Sequence, residues 1–143
     1  MKIMVAYDGT LQAKEALAYG IDKARAKGGE VVALHVFNSP MFADYDATVN
    51  TRDASKAEAA RFVEEAKMII REKGTGVKAS LYSTEGDPER EMISFAKAEH
   101  VDVLLCPPKF KTIISKYQKA LAGSELAGEA AKMNVAAIST KTM

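Results

Sequence analysis

"GDPEREMISFAKAEHVDVLLC", residues 86–106, holds a helix start, a helix and a buried strand in a single run. Asp87 is a good N-cap residue, because its carboxylate can accept from the open amides of the first helical turn. Pro88 suits the first helical position, where its missing N–H has no partner to lose. Met92, Ile93 and Ala96 then fall on one helical face, and His100 closes the helix at the end where positive charge is favoured. Val101–Cys106, "VDVLLC", is almost unbroken apolar sequence, which marks a strand covered on both faces.

The same alternation extends in both directions. Lys2–Tyr7, "KIMVAY", reads as a buried strand ended by an Asp-Gly turn, and Thr10 caps a helix with Ala13, Ala16, Leu17, Gly20, Ile21 and Ala24 on its apolar face. Gly28-Gly29 stops that helix, and Glu30–Phe37, "EVVALHVF", is a second buried strand. Asn38–Asp53 shows no period and predicts a long mobile loop. From Ala54 the helical period returns through Ile70, and Gly74 and Gly76 end it. Val77–Thr84 alternates as a third strand with one polar face, expected near a sheet edge. Ser124 caps a last helix through Met133, and Val135–Thr140 is a fifth strand. The order β-α-β-α-β-α-β-α-β demands a mainly parallel sheet with helices on both faces. The whole of 1–143 reads as one domain.

Composition narrows the function. The net charge is +1 with 20 basic and 19 acidic residues, so the chain is not a general nucleic-acid binder. The single cysteine, Cys106, excludes an internal disulfide, and the opening "MKIMVAYDGT" is too short an apolar run for a signal peptide or membrane span. The expectation is a cytoplasmic protein with no membrane span. The seven methionines are scattered and fill core gaps.

In open parallel sheets ligands sit beyond the carboxyl ends of the strands, where the strand order reverses. With the first strand central, the groups there are Asp8-Gly9-Thr10, Val36-Phe37 and the segment after Cys106. That segment, "PPKFKTIISKYQKALAGS", carries Lys109, Lys111, Lys116 and Lys119 with no acidic residue and no glycine before Gly123. Phe110, Ile113, Ile114, Tyr117 and Leu121 share a helical face, which predicts one amphipathic basic helix. Its lysines read either as a solvated face or as an anion or partner site, since lysine binds phosphate as a point charge. Asp8 either closes its turn or meets a ligand. Cys106 reads as a small buried hydrophobe, His35 as a core histidine, and Ser124 as a helix cap that also suits a phosphate contact.

Taken together, "KIMVAYDGT", "VVALHVF", "EGDPEREMISFAKAEHVDVLL" and "GSELAGEAAKMNVAAIST" resemble the universal stress protein family over essentially the whole chain. The resemblance implies a flavodoxin-like, adenine nucleotide alpha hydrolase-like three-layer α/β sandwich, with a five-stranded parallel sheet of order 3-2-1-4-5. It also implies a homodimer paired through the last strand, Val135–Thr140, and a regulatory or protective role in the stress response rather than an enzyme. Many members bind ATP. Carried over, the nucleotide-binding positions are Asp8 at the sugar, Val36 and Cys106 near the base, and Gly123-Ser124 at the phosphates. The family's earlier Gly-x-x-Gly pair is missing: Pro107 stands at its first position, and proline offers no amide donor. The family includes a branch that lacks this motif and binds no ATP.

Three readings follow: a stress-response homodimer without nucleotide, an ATP- or ADP-binding protein, with magnesium, in which the basic 109–119 segment and Lys109 replace the glycine loop, and an interaction module for an acidic partner. A receiver domain needs an acidic pair after the first strand, a dinucleotide-binding domain needs G-x-G-x-x-G where "DGTLQA" stands, and a metal hydrolase needs clustered His and acidic ligands.

Overall fold

The structure is a computed structural model. It describes the backbone of residues 1–37, 45–121 and 123–140, and the side chains of these except 45–55, 119 and 120. Five strands, β1 (Lys2–Ala6), β2 (Glu30–Phe37), β3 (Lys78–Glu85), β4 (Val103–Cys106) and β5 (Ala136–Ser139), form one sheet of order β3-β2-β1-β4-β5. The helices are α1 (Leu11–Lys27), α2 (Tyr45–Lys73), α3 (Pro88–Ala98), α4 (Lys111–Tyr117) and α5 (Glu125–Lys132), with a 3-10 turn at Gln118–Leu121.

Side-chain alternation along β1 divides the core in two. Ile3, Val5 and Tyr7 point to the face covered by α1, α2 and α5; Met4 and Ala6 point to the face covered by α3 and α4. Both faces being covered, the inner strands read as continuous apolar runs. The local signals act as expected. Thr10 Oγ1 accepts from the Ala13 amide at 3.2 Å, and α1 buries the six residues expected of it. Asp87 accepts from the Arg90 amide at 3.0 Å with Pro88 following, and α3 buries Met92 and Ala96 with Ile93 packed beside them. β3 lies at the sheet edge, as its polar face implies.

Three expectations are corrected. First, α2 begins at Tyr45, so the loop expected through Asp53 is helical in its second half, while residues 38–44 lie outside the described residues. No glycine or proline occurs between Tyr45 and Lys73, and extending an existing helix costs far less than nucleating one. Second, the sheet is mixed. β1, β2, β3 and β4 are parallel, but β5 runs antiparallel to β4, pairing Val103 with Ser139 and Cys106 with Ala136. Third, the segment 110–121 is not a single helix. α4 stops at Tyr117 and gives way to the 3-10 turn; Ile113, Ile114 and Tyr117 join the α3-side core, while Leu121 joins the other. The chain thus crosses from one face to the other beside β5, against which the 3-10 turn packs. A crossover by a single helix delivers a parallel strand; here α4 with the 3-10 turn runs one way and α5 runs back, so β5 starts at the end of the sheet where β4 finished. Among the described residues no helix is long and apolar enough to cross a membrane.

The caps identify the weak points of the helices. Asp87→Ala leaves the first-turn amides of α3 without a side-chain acceptor and should cost about 1 kcal/mol in urea unfolding. A loss below a few tenths would mean that water serves those amides equally well.

Candidate functional site

The crevice forms where β1 hands the chain to α1 on one face while β4, its other neighbour, is reached from α3 on the opposite face. Tyr7 holds the end of β1 against β2: its N–H donates to the Leu34 carbonyl at 2.9 Å, and its own carbonyl accepts from His35 Nδ1 at 2.8 Å. Gly9 then turns the chain at φ 76°, and a Cβ there would run into the Phe62 ring of α2. Only glycine satisfies both the backbone and the ring.

Asp8 points into the crevice with its side chain 16% exposed. Its Oδ1 accepts from the Thr10 amide at 3.1 Å and from the Thr10 hydroxyl at 2.6 Å, and its Oδ2 receives the Lys109 ammonium at 3.0 Å. Burial works to raise the carboxyl, but the Thr10 and Lys109 contacts outweigh it and hold Asp8 below the ordinary carboxylate range. Lys109 reaches it from a tight turn at Pro107-Pro108, in which the Phe110 amide donates to the Pro107 carbonyl at 3.2 Å. The lysine also lies over the Phe110 ring, 5.4 Å from its centroid.

Around this pair the crevice has two halves. One, of about 290 Å³, is apolar and walled by Ala6, Val36, Pro88, Met92 and Phe110. The other, of about 210 Å³, is lined by Phe37, Glu58 and Phe62. Asp8, His35, Val36 and Lys109 line both. His35 is stacked on Phe37 and meets Phe62 edge-on at 5.1 Å, so the expected core histidine is also a wall of the crevice. The crevice thus combines aromatic and apolar walls with one carboxylate and one ammonium.

Of the six candidate residues, Asp8, Val36 and Lys109 come together here. Cys106 lies fully buried in the α3-side core and lines neither half. Burial, with a smaller contribution from the charge of Glu89, pushes its thiol up to about 12. Gly123 and Ser124 stand elsewhere. Ser124 Oγ accepts from the Ala127 amide at 3.1 Å, and the beginning of α5 pairs with α1 through Lys23, which reaches Glu129 at 3.0 Å and Glu125 at 3.9 Å. At 1.5 Å per residue, Lys23 is about 18 Å along α1 from its start beside Asp8. The antiparallel course of β5 therefore carries Gly123-Ser124 toward the amino ends of the strands.

Phe62, Glu58, Pro88 and Met92 were not legible as site residues. Each belongs to an element read only as helix, and nothing local says which helical residues overhang a distant strand end. A larger hollow of about 490 Å³ at the amino ends of the strands holds Lys2, Glu30, Lys78, Glu99 and Asp102. Its charges are spent on each other: Lys2 pairs with Glu30 at 3.5 Å and Glu99 at 3.4 Å, Lys78 pairs with Glu30 at 3.2 Å, and Asp102 accepts the Lys2 amide at 2.8 Å. Among the described residues no group of three or more His, Cys, Asp or Glu is placed to hold a metal ion.

Residues 1–132 match the profile of the Universal stress protein family. The fold is shared with a universal stress protein from Lactobacillus plantarum, at TM-score 0.62 and 17% identity, covering 73% of this chain and 74% of that one. One from Archaeoglobus fulgidus aligns at TM-score 0.56 and 23% identity over 71% of both chains. One from Arabidopsis thaliana with AMP bound aligns at TM-score 0.52 and 22% identity, covering 73% and 74%. No curated protein sequence matches the chain.

Buried acids give the protein an alkaline weakness: Cys106 and Tyr7, with Tyr19 raised in the same direction by burial and Glu129. Cys106 rises from 9.0 to about 12, and Tyr7 from 10.0 to about 12, through burial first and then the charges of Glu65 and Asp8. Below pH 9 none of these groups affects stability. Above it the unfolded chain sheds protons that the folded chain retains, so stability falls, by at most about 1.4 kcal/mol per pH unit for each group. Urea unfolding from pH 8 to 11 should show this decline, and Cys106→Ala should flatten it between pH 9 and 10. An equal slope in the variant would show that the thiol is not the group involved.

Proposed function

The chain belongs to the Universal stress protein family, and from that premise we propose that it is a regulatory protein of the stress response which holds an adenine nucleotide in the crevice at the ends of β1 and β2 and performs no chemistry on it. The observation that carries this reading is the Asp8–Lys109 pair, 3.0 Å apart, set at the mouth of an apolar slot walled by Val36, Met92 and Phe110. Val36 supplies the wall for the base, Asp8 the acceptor for sugar hydroxyls, and Lys109 the charge for phosphate. The solved relative with AMP bound supports the ligand class. Cys106 has no part in this reading beyond forming the floor of the core, and Gly123-Ser124 act as the cap of α5. ATP or ADP with magnesium is the ligand set that the family resemblance implies, and no glycine loop is available to cradle its outer phosphates.

The reading includes a cytoplasmic homodimer paired through Val135–Thr140. β5 is the outermost strand on its side of the sheet, which is the geometry edge pairing requires. The 3-10 turn at Gln118–Leu121 packs against that strand, so pairing there involves the turn as well. A second reading, docking of an acidic partner, rests on Lys111 and Lys116, which are exposed while the apolar side of α4 is buried.

Melting temperature followed during titration of ATP, ADP and AMP, with and without magnesium, tests the proposal. A ligand bound only by the folded state stabilises it by about 2.7 kcal/mol at a hundred times its Kd. A rise that disappears in Asp8→Ala is expected. No rise at millimolar nucleotide would sink the nucleotide reading and leave the basic face of α4 as the functional surface.

A further inference from the structure

Both oxygens of Asp8 are engaged in this structure: Oδ1 accepts twice from Thr10, and Oδ2 receives Lys109, which leaves it one acceptor position. Lys109 is differently placed. Its ammonium has three donors, its side chain is 59% exposed, and Asp8 is its one ion-pair partner among the described residues. It is also the only lysine or arginine among the described residues lining either half of the crevice. The chain around it adds little for an anion. Pro107 and Pro108 have no N–H, and the Phe110 amide is committed to the Pro107 carbonyl. From this segment a ligand therefore meets one ammonium and no nest of amides.

We infer that Lys109 is a latch exchanged between Asp8 and a single ligand phosphate, so that the crevice selects nucleoside monophosphates over di- and triphosphates. The inference rests on the nucleotide reading above and specifies which nucleotide. When Lys109 swings from Asp8 to a phosphate, one movement serves both polar contacts: the ammonium meets the anion, and Oδ2 opens fully to sugar hydroxyls. The lysine end of the pair is the exposed one, so the ammonium can leave Asp8 toward the crevice mouth, and its contact with phosphate offsets the one it gives up. A phosphate monoester carries roughly −1.5 to −2 charges at neutral pH, which one lysine and the surrounding water can serve. Each further phosphate adds negative charge with no second lysine or arginine among the described lining residues to receive it, and Glu58 in the adjoining half repels it.

Calorimetric titration of the full chain with adenosine, AMP, ADP, ATP and inorganic phosphate, with and without magnesium, tests the latch. The variants are Lys109→Met and Asp8→Asn, with melting temperature checking that each is folded. AMP should bind about tenfold or more tighter than either adenosine or ATP, the size expected of one charge-assisted hydrogen bond. Lys109→Met should close the gap between AMP and adenosine. Asp8→Asn removes the competitor for the ammonium, so it should strengthen binding of inorganic phosphate while weakening adenosine. Two variants of one ion pair would thus move phosphate binding in opposite directions, which a purely structural pair would not do. ATP or magnesium-ATP binding as tightly as AMP, or an AMP preference that survives Lys109→Met, would overturn the latch and leave nucleotide binding standing. Should Lys109→Met fail to fold, the wild-type order of AMP against ATP decides alone. If neither adenosine nor any nucleotide binds, both readings fall.

Discussion

β1 sits between β2 and β4 and is covered on both faces, so each of its residues after Lys2 must satisfy a core. Ile3, Met4 and Val5 have no exposed surface, and Ala6 and Tyr7 almost none. Burying side chains of this kind contributes about 1.5–3 kcal/mol each for the larger ones. Alternation along the strand sends odd and even residues to different layers, so a slip of one residue would exchange the two cores. The helices on either face, the order of the strands and the position of the crevice all follow from this central strand.

What happens at its carboxyl end is a consequence. A buried strand must end in a turn that leaves its polar groups satisfied. Here Tyr7 gives its amide to Leu34 and its carbonyl to His35, and Asp8 binds back to Thr10. The Thr10 hydroxyl serves twice, donating to Asp8 and accepting from the Ala13 amide at the start of α1. The same few residues thus end a strand, start a helix and present a carboxylate. Gly9 allows Phe62 to close over the turn, and in doing so ties α2 to the site.

The segment after β4 opens on two prolines in succession, which offer no backbone donors, and the ammonium of Lys109 follows them onto Asp8. The apolar residues from Phe110 onward then serve both cores in turn. That division breaks the expected single helix, sends α5 back along α1 and reverses β5. Lys23, placed between Glu125 and Glu129, marks where α5 begins.

Local chemistry alone made much of this legible. Caps at Thr10, Asp87 and Ser124, the stop at Gly28, and the unbroken apolar runs of β1, β2 and β4 are properties of neighbouring residues, and they appear in the structure where the sequence placed them. The strand order came from the family resemblance, and the end of the sheet that carries the crevice from the rule that ligands sit beyond the carboxyl ends of parallel strands. Asp8, Val36 and Lys109 could be gathered on that basis. The direction of β5 could not, since it depends on which core Leu121 joins, and an apolar residue fits either. Nor could the contributions of Glu58, Phe62 and Met92, or the distance separating Gly123-Ser124 from Asp8. Those are decided by packing between elements far apart in the chain, where the energy lies in shape and area shared across the fold and leaves no mark in the residues on either side.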